Sequence, residues 1–391
     1  MKRKGHLFER LISDENLGKA IEEVNATHHW RGGHRPNACT AWVEETKPDR
    51  IRDLRRFIVQ GFEPKAPRII ERYDASARKN RTISEPAQWP DQYVHHALVQ
   101  VIQPVMMRGM DRFACGSIRK RGPHYAKRYI EKWLSGDLKG TRYELCGDIR
   151  HFYDSLKPEV VMARMRELIK DHGILDLIER VTRNGILIGA YPSQWFANTT
   201  LQPLDQMIRQ SGLCTHYVRY MDNLTIFGPN KRKLRKLKDM IVKWLGDHGL
   251  TLKGDWQIFP VPRDTEKKEL PHPRKGVTRP GRVPDAVGYR FGRDFVLPRK
   301  HNLIRVKRAL ARYRKHQTRR LAESLLSRIG QLKHCNNFRL YKRLYKGERI
   351  VRRLKQTVRE NRRKEDFLWS MYLAQRETER SSRLRAACTP T

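Results

Sequence analysis

An α+β fold is predicted by three features of this 391-residue chain. Short segments rich in β-branched and aromatic residues flank polar turns, which indicates β-hairpins. Longer segments carry apolar residues at helical spacing, which indicates helices between and around those hairpins. Over residues 300–364 the helical pattern coincides with a very high density of Lys and Arg. One apolar stripe continues through that region, so a folded basic helical bundle is expected there.

The predicted elements follow one another in a simple order. The first 60 residues are expected to be helical, because Leu7, Leu11, Leu17 and Ile21 recur at near-helical spacing. The elements expected after them are a hairpin over 68–84, helices over 92–107 and 124–134, a strand ending at 146–149, a helix near 160–169, a hairpin over 217–227, a basic amphipathic helix over 231–246 and β structure over 288–298.

One segment interrupts this pattern. From residue 260 to 284 the composition shifts to Pro, Arg, Lys and Gly. Structureless loops of this length are uncommon inside a compact domain, so the segment is predicted to be an exposed insertion or linker that contacts RNA or a partner protein.

The charge of the chain predicts its partner. There are 82 Lys and Arg against 42 Asp and Glu, which gives a formal net charge of +40. Such a chain repels itself unless a polyanion neutralises it, so nucleic acid is the expected partner. No apolar run approaches twenty residues, which argues against a membrane. The N-terminus is broken by charged residues, and the 6 cysteines are scattered. A cytoplasmic protein without a disulfide framework or zinc site is therefore expected.

Two aspartates are candidates for metal chemistry. Asp148 follows a predicted strand, and Asp222 lies at the predicted tip of the hairpin that contains Tyr220-Met221-Asp222-Asn223. Nucleotidyl transfer uses two closely spaced metal ions, and magnesium takes one or two protein carboxylates together with phosphates and water. Carboxylates from two separate strands, brought side by side, would provide such a site.

These motifs, in this order, resemble those of reverse transcriptases. Asp148-Ile149-Arg150-His151-Phe152-Tyr153-Asp154 resembles the first catalytic motif, and Tyr220-Met221-Asp222-Asn223 resembles the Tyr-x-Asp-Asp box. The segments 185–198, 250–253 and 287–291 resemble the motifs between and after them. The resemblance implies a right-hand polymerase, with an N-terminal helical extension (1–60), fingers (61–145), a palm (146–298) and an α-helical thumb with a C-terminal tail (299–391).

The motif between the two boxes narrows the resemblance. Most reverse transcriptases have a glutamine where this chain has Ile188, and the pattern Ile188-Gly189-x-x-x-Ser193-Gln194 resembles that of diversity-generating retroelements. That family implies low-fidelity copying at adenines of a template RNA, and an oligomeric accessory variability protein as partner. The family is prokaryotic or phage-encoded. An isoleucine supplies contact without directional hydrogen bonds, so nucleotide discrimination is expected to be loose.

The resemblance also assigns roles to individual residues. It implies Mg²⁺ (or Mn²⁺) held by Asp148, Ile149 and Asp222, with Lys253 as the general acid that protonates pyrophosphate. Tyr153 matches the steric gate against a ribose 2′-hydroxyl, and Ser193 and Gln194 match a template contact. The remaining nucleotide-binding residues are expected to be Lys79, Arg81, Arg119, Arg121, Ile188 and Gly189.

Asn223 departs from the family pattern, because it replaces the second aspartate of the box. An amide keeps one oxygen acceptor but lacks the negative charge. Three alternatives follow: an active enzyme with a relaxed metal site, a slow or metal-selective enzyme, or a silenced site on an RNA-binding scaffold or splicing-type cofactor. Away from the motifs, Asp154 is expected to cap a helix, and Asp205 is expected to be a surface charge.

Overall fold

A computed structural model describes residues 3–32, 37–74, 79–263, 281–336, 349–364 and 371. The chain divides into two compact units, Met1–Arg282 and Val283–Thr391. The boundary between the units falls near the end of the predicted insertion, of which residues 264–280 lie outside the described part. The four-part division into extension, fingers, palm and thumb stays a prediction.

The first unit begins with a helical layer, as predicted. Its members are α1 (Phe8–Leu11), α2 (Asp14–Gly32), α3 (Ala38–Glu45), α4 (Lys47–Val59) and α5 (Tyr93–Met107). Helix α5 is apolar on most of its surface and buries ten residues, including Val94, Leu98 and Ile102. A helix that is apolar nearly all round belongs in a core, so the other helices pack around it.

A two-stranded hairpin, also as predicted, precedes α5. Strand β1 (Arg68–Asp74) pairs antiparallel with β2 (Lys79–Glu85), with Ile70 opposite Ile83. On one face of this hairpin Ile69 and Tyr73 are 61% and 65% exposed.

A five-stranded sheet forms the centre of the first unit, with the order β3-β5-β6-β4-β7. Its strands are β3 (Ala114–Cys115), β4 (Tyr143–Asp148), β5 (His216–Tyr220), β6 (Asn223–Gly228) and β7 (Gln257–Pro260). Strand β3 runs parallel to β5, and the other neighbours are antiparallel. The helices around it are α6 (Pro123–Gly136), α7 (Phe152–Ser155), α8 (Pro158–Leu168), α9 (His172–Thr182), α10 (Tyr191–Thr200), α11 (Gln202–Gln210) and α12 (Lys231–Asp247).

The register of this sheet places the two candidate carboxylates together. Asp148, the last residue of β4, lies opposite Asn223, the first residue of β6. Tyr220 pairs with Asn223, so Met221 and Asp222 form a two-residue turn, in which Met221 has a φ of 55°. A positive φ at such a tight turn is the usual way to connect two twisted antiparallel strands.

In its described residues, the second unit holds three short strands and a helical core. Strands β8 (Asp285–Ala286), β9 (Tyr289–Phe291) and β10 (Val296–Pro298) form an antiparallel sheet. Helices α13 (Lys300–Lys315) and α14 (Arg319–Leu332) follow, and residues 350–364 are helical as well. Leu310, Leu325 and Leu354 are among the residues that form their common core, which confirms the predicted basic helical bundle.

Within the described ranges, no helix combines the length and the apolar character needed to cross a bilayer.

Candidate active site

The carboxylates of Asp148 and Asp222 form the centre of the site. The backbone N–H of Ile149 donates to the carbonyl oxygen of Asp222 at 3.1 Å, which joins the end of β4 to the hairpin turn. Burial, together with the nearby negative charge of Asp222, raises the pKa of Asp148 from 3.8 to about 7. Two carboxylates this close repel each other until a cation or a proton lies between them.

The residues present fit a divalent cation. The Oδ1 atom of Asp148 is buried and has no hydrogen-bond partner among the described residues. Nowhere in the described ranges do three or more His, Cys, Asp or Glu side chains gather as a metal cluster. Magnesium needs only one or two protein carboxylates when phosphates and water complete its shell, so Asp148 and Asp222 suffice. The side chain of Ile149 is 2% exposed and apolar, so only its backbone carbonyl could be a ligand.

Lys253, the predicted general acid, lies beside this pair. Its backbone N–H donates to the carbonyl oxygen of Asp148 at 2.8 Å. Its Nζ atom is 4.0 Å from Oδ2 of Asp148 and 3.1 Å from Oδ2 of Asp255. Asp255, through its hydrogen bond and charge, raises the pKa of Lys253. Sequence reasoning missed Asp255, whose position two residues after Lys253 was the available signal.

Asn223 turns its amide toward the neighbouring carboxylate. Its Nδ2 atom donates to Oδ1 of Asp222 at 3.1 Å, and the residue is exposed. An aspartate here would add a third negative charge beside Asp148 and Asp222. The amide instead supplies a hydrogen-bond donor to Asp222 and adds no charge.

A buried hydrogen-bond network supports the turn from below. Arg219 and Asp205 are fully buried, and the guanidinium donates to both Asp205 oxygens at 2.8 and 2.7 Å. Its Nη1 atom donates to Oδ1 of Asn198 and to the carbonyl oxygen of Met221, each at 2.9 Å. Tyr217 donates its hydroxyl to Asp205 at 2.6 Å.

This network fixes the residue that precedes Asp222, and sequence reasoning missed it. The prediction that Asp205 is a surface charge was wrong, because α11 turns this carboxylate into the core against β5. No local pattern distinguishes such a residue from an exposed acid on a helix.

The predicted steric gate and the Ile188–Gly189 segment have defined surroundings. Burial, with the charge of Asp222 nearby, raises the pKa of the half-buried Tyr153. The N–H of Ser84 donates to the carbonyl oxygen of Ile188 at 2.7 Å, so the β1–β2 hairpin is anchored on this segment. Gly189 has a φ of 122°, and a Cβ there would lie 2.5 Å from the carbonyl oxygen of Ser84. Only glycine fits this approach.

The predicted nucleotide-binding cations lie on two separate elements, the β1–β2 hairpin and the loop after β3. The loop that carries Arg119 begins at Gly116, where a Cβ would lie 2.7 Å from Cγ of Met221. Arg119 and Arg81 are exposed, whereas Nη1 of Arg121 donates to the carbonyl oxygen of Asp111 at 2.7 Å. Lys79 lies in β2, and its side chain is outside the described part.

Three further predicted residues have clear positions. Ser193 and Gln194 lie in the first turn of α10, where Ser193 is 6% exposed and Gln194 is half-buried. Asp154 was expected to be a helix N-cap, but it lies inside α7, whose N-cap residue is His151. Its carboxylate is exposed and 3.8 Å from Nδ1 of His151.

Comparison with known proteins identifies the central domain. Residues 89–255, a little under half of the chain, match the family model for reverse transcriptase (RNA-dependent DNA polymerase). A reverse transcriptase domain is therefore present, and its α+β fold is the predicted one. No curated protein sequence matches the chain.

Similar solved structures include telomerases of two Candida species. One is telomerase from Candida albicans in complex with a fragment of telomeric RNA, with a TM-score of 0.42 and 13% identity over 80% of this chain and 60% of that chain. Another is apo telomerase from Candida tropicalis, with a TM-score of 0.41 and 11% identity over 65% of this chain and 53% of that chain. This chain thus spans little more than half the length of these structures.

Substitution of Arg219 tests the buried network. Arg219→Met leaves Asp205 buried without its cation, so we expect a loss of about 3–5 kcal/mol in unfolding free energy. Arg219→Met combined with Asp205→Leu should recover part of that loss, because no uncompensated charge remains. Urea denaturation followed by circular dichroism measures both. A single variant as stable as the native chain would contradict the role assigned to this pair.

The raised pKa of Asp148 predicts a pH-dependent stability. Because its pKa of about 7 in the fold exceeds the ordinary 3.8, protonation stabilises the metal-free fold at low pH. That contribution is lost as the pH rises through about 7. Asp148→Asn should therefore raise the melting temperature in EDTA at pH 8 and change it little at pH 4. The expected gain is on the order of 1–2 kcal/mol, because solvent screens a carboxylate that is one-third exposed.

The exposed Asp154 provides the matched control. Asp154→Asn removes the same charge six residues later in the chain, outside the pair of Asp148 and Asp222, and should leave the melting temperature nearly unchanged at both pH values. Equal shifts for Asp148→Asn at pH 4 and pH 8 would mean that the pair is not electrostatically strained.

Proposed function

We propose that this chain is an RNA-directed DNA polymerase that uses Asp148 and Asp222 to hold divalent metal ions. The observation that carries this proposal is that Asp148, at the end of β4, and Asp222, in the adjoining β5–β6 turn, lie side by side inside the domain that matches the reverse transcriptase model. When bound, such ions would activate a primer 3′-hydroxyl and neutralise the triphosphate. The proposed metal ion is Mg²⁺ or Mn²⁺.

The chain's own residues would orient substrate and move a proton. Lys253 keeps its ammonium protonated beside Asp255 and is 49% exposed, so it can give a proton to the leaving pyrophosphate. The half-buried Tyr153 ring would oppose a ribose 2′-hydroxyl and so favour deoxynucleotides. The Arg219 network would keep Asp222 in place as the nucleotide and primer enter.

The finer part of the proposal is error-prone cDNA synthesis in a diversity-generating retroelement. Ile188 supports it, because the backbone carbonyl oxygen of this residue is already bonded to Ser84 and its side chain has no polar atom. Residue 188 therefore supplies shape but no directional side-chain bond to an incoming nucleotide. Selection of the correct incoming nucleotide would then be weaker, and errors opposite template adenines would be more frequent.

The proposed partners are template RNA, its cDNA and an oligomer of a small basic accessory variability protein. This chain carries a formal net charge of +40, and a second basic protein would be repelled by it. RNA lying between the two proteins would remove that repulsion. The proposed complex is therefore one in which RNA contributes much of the affinity.

A second candidate function is an RNA-binding scaffold or splicing-type cofactor with a silent polymerase site. The observation that favours it is Asn223, whose amide donates to Asp222 where a second carboxylate is usual. The activity of the chain would then be limited to the binding of RNA by its basic residues.

Primer extension on an RNA template distinguishes the two functions. We expect the native chain to extend in Mg²⁺ or Mn²⁺, and Asn223→Asp to be faster by no more than about tenfold, because Asp148 and Asp222 remain as ligands. Asp222→Asn should abolish extension and serves as the negative control. The assay is run with and without accessory protein. Extension by Asn223→Asp alone would support the silent scaffold.

Substitution of Ile188 tests the low fidelity. Ile188→Gln adds a hydrogen-bonding side chain, so misincorporation opposite template adenines should fall about 2- to 13-fold, the range for one hydrogen bond. Ile188→Leu keeps an apolar side chain of equal size and should leave the error rate unchanged. Sequencing of cDNA measures both. An unchanged error spectrum in Ile188→Gln would remove the main support for the retroelement proposal.

A further inference from the structure

A basic surface lies at one end of the central sheet, and the two carboxylates lie at the other end. We call it the α12 surface; its members are Lys139, Arg142, Arg232, Lys233, Arg235 and Lys236, and all six are exposed. Gly228, the last residue of β6, pairs with Tyr143, the first residue of β4, so Arg142 and the start of α12 lie at the same end. Asn223 and Asp148 lie at the other end, about 17 Å away along β6.

The start of α12 is firmly seated on this end of the sheet. Asn230 caps the helix, and its Oδ1 accepts from the N–H groups of Arg232 and Lys233 at 2.8 and 3.2 Å. Leu234 is buried, and its Cδ2 lies 3.1 Å from where a Cβ of Gly228 would be. The basic side chains between these anchors are therefore held on an ordered helical turn.

The charges of the α12 surface oppose local stability. The first turn of α12 has no acidic residue, although the positive end of a helix dipole favours one. Arg232 with Arg235 and with Lys236 gives like charges three and four residues apart, which destabilises a helix. In the described ranges, none of the six cations has an ion pair, and nearby Asp239 and Asp247 pair with Lys238 and Lys243.

Another basic helix of the same unit is built differently. On α4, Arg50 and Arg56 both pair with Asp53. Arg52 pairs with Asp49, and Arg55 pairs with Asp14. The arginines of α4 are thus neutralised within the fold, whereas the cations of the α12 surface have no ion pair among the described residues.

We propose that the α12 surface binds the phosphate backbone of RNA at a second site, apart from the proposed polymerase site around Asp148 and Asp222. Phosphate contacts need cations on an ordered frame and no base recognition. A protein interface would need aromatic or apolar anchors, and between residues 232 and 236 every exposed side chain is Lys or Arg, because Leu234 is buried. If the proposed function holds, the ligand is a part of the template RNA that is not being copied.

A triple variant with a matched control tests this inference. Arg232→Gln, Arg235→Gln and Lys236→Gln remove three charges from the surface. Arg10→Gln, Lys19→Gln and Lys170→Gln remove three equally exposed charges elsewhere. The full chain is first saturated with a short primer–template duplex, and binding of a labelled 20-base-pair RNA hairpin is then titrated at several salt concentrations.

The expected result is a loss of affinity for the hairpin and not for the short duplex. The α12 variant should bind the hairpin at least tenfold more weakly, and the slope of log affinity against log salt should shrink by about 2–3. Its affinity for the short duplex should stay within twofold, and the control variant should behave like the native chain. Because binding is measured, the result does not depend on whether the chain polymerises.

Three outcomes would overturn the inference. Failure of the hairpin to bind once the duplex is in place would leave a single site. An equal loss of affinity in the control variant and the α12 variant would indicate an effect of net charge alone. A parallel loss of affinity for the duplex and the hairpin in the α12 variant would assign this surface to primer–template binding.

Discussion

The ion pair between Arg219 and Asp205 holds the Met221–Asp222 turn in place. Arg219 is fully buried, and its donors reach Asp205, Asn198 and the carbonyl oxygen of Met221. A buried guanidinium is costly unless nearly every N–H finds an acceptor, and here the acceptors come from β5, α10, α11 and the turn. The turn cannot move without breaking bonds inside the core. Asp222 is therefore presented by a rigid support although it lies on a two-residue loop.

The carboxylates on that support are held together against their repulsion. Burial and Asp222 raise the pKa of Asp148 to about 7, so the metal-free site retains a proton near neutral pH. A divalent cation would displace this proton, and its affinity should rise with pH for that reason. Asn223 moderates the repulsion, because its amide donates to Asp222 where an aspartate would add a third negative charge. The missing negative charge at residue 223 also weakens the attraction of the site for a divalent cation. Asn223 therefore lowers both the repulsion between the carboxylates and the affinity for the cation.

The sequence predicts this site unevenly, for physical reasons. Strands and amphipathic helices repeat their apolar residues with a short period, so α5, the β1–β2 hairpin and the α12 helix were predictable within a few residues. The pairing of Asp148 with Asp222 followed from motif order. Asp205 was predicted wrongly, because its burial depends on an arginine 14 residues away in sequence and on the packing of α11. Asp255 pairs with Lys253, and Asn198 accepts from Arg219. Neither contact could be predicted from the spacing of apolar residues.

The distribution of charge separates two kinds of basic residue in this chain. On α4 the arginines are neutralised by aspartates three residues away or on α2, and they need no external partner. At the start of α12 the cations have no such partners among the described residues, and the helix dipole and their mutual repulsion both oppose them. Part of the net charge of +40 therefore comes from cations that have no ion-pair partner among the described residues. The fold provides no acidic partners for the α12 surface among the described residues, so a ligand must neutralise these cations. The phosphate backbone of RNA would do so at the end of the sheet most distant from the carboxylates.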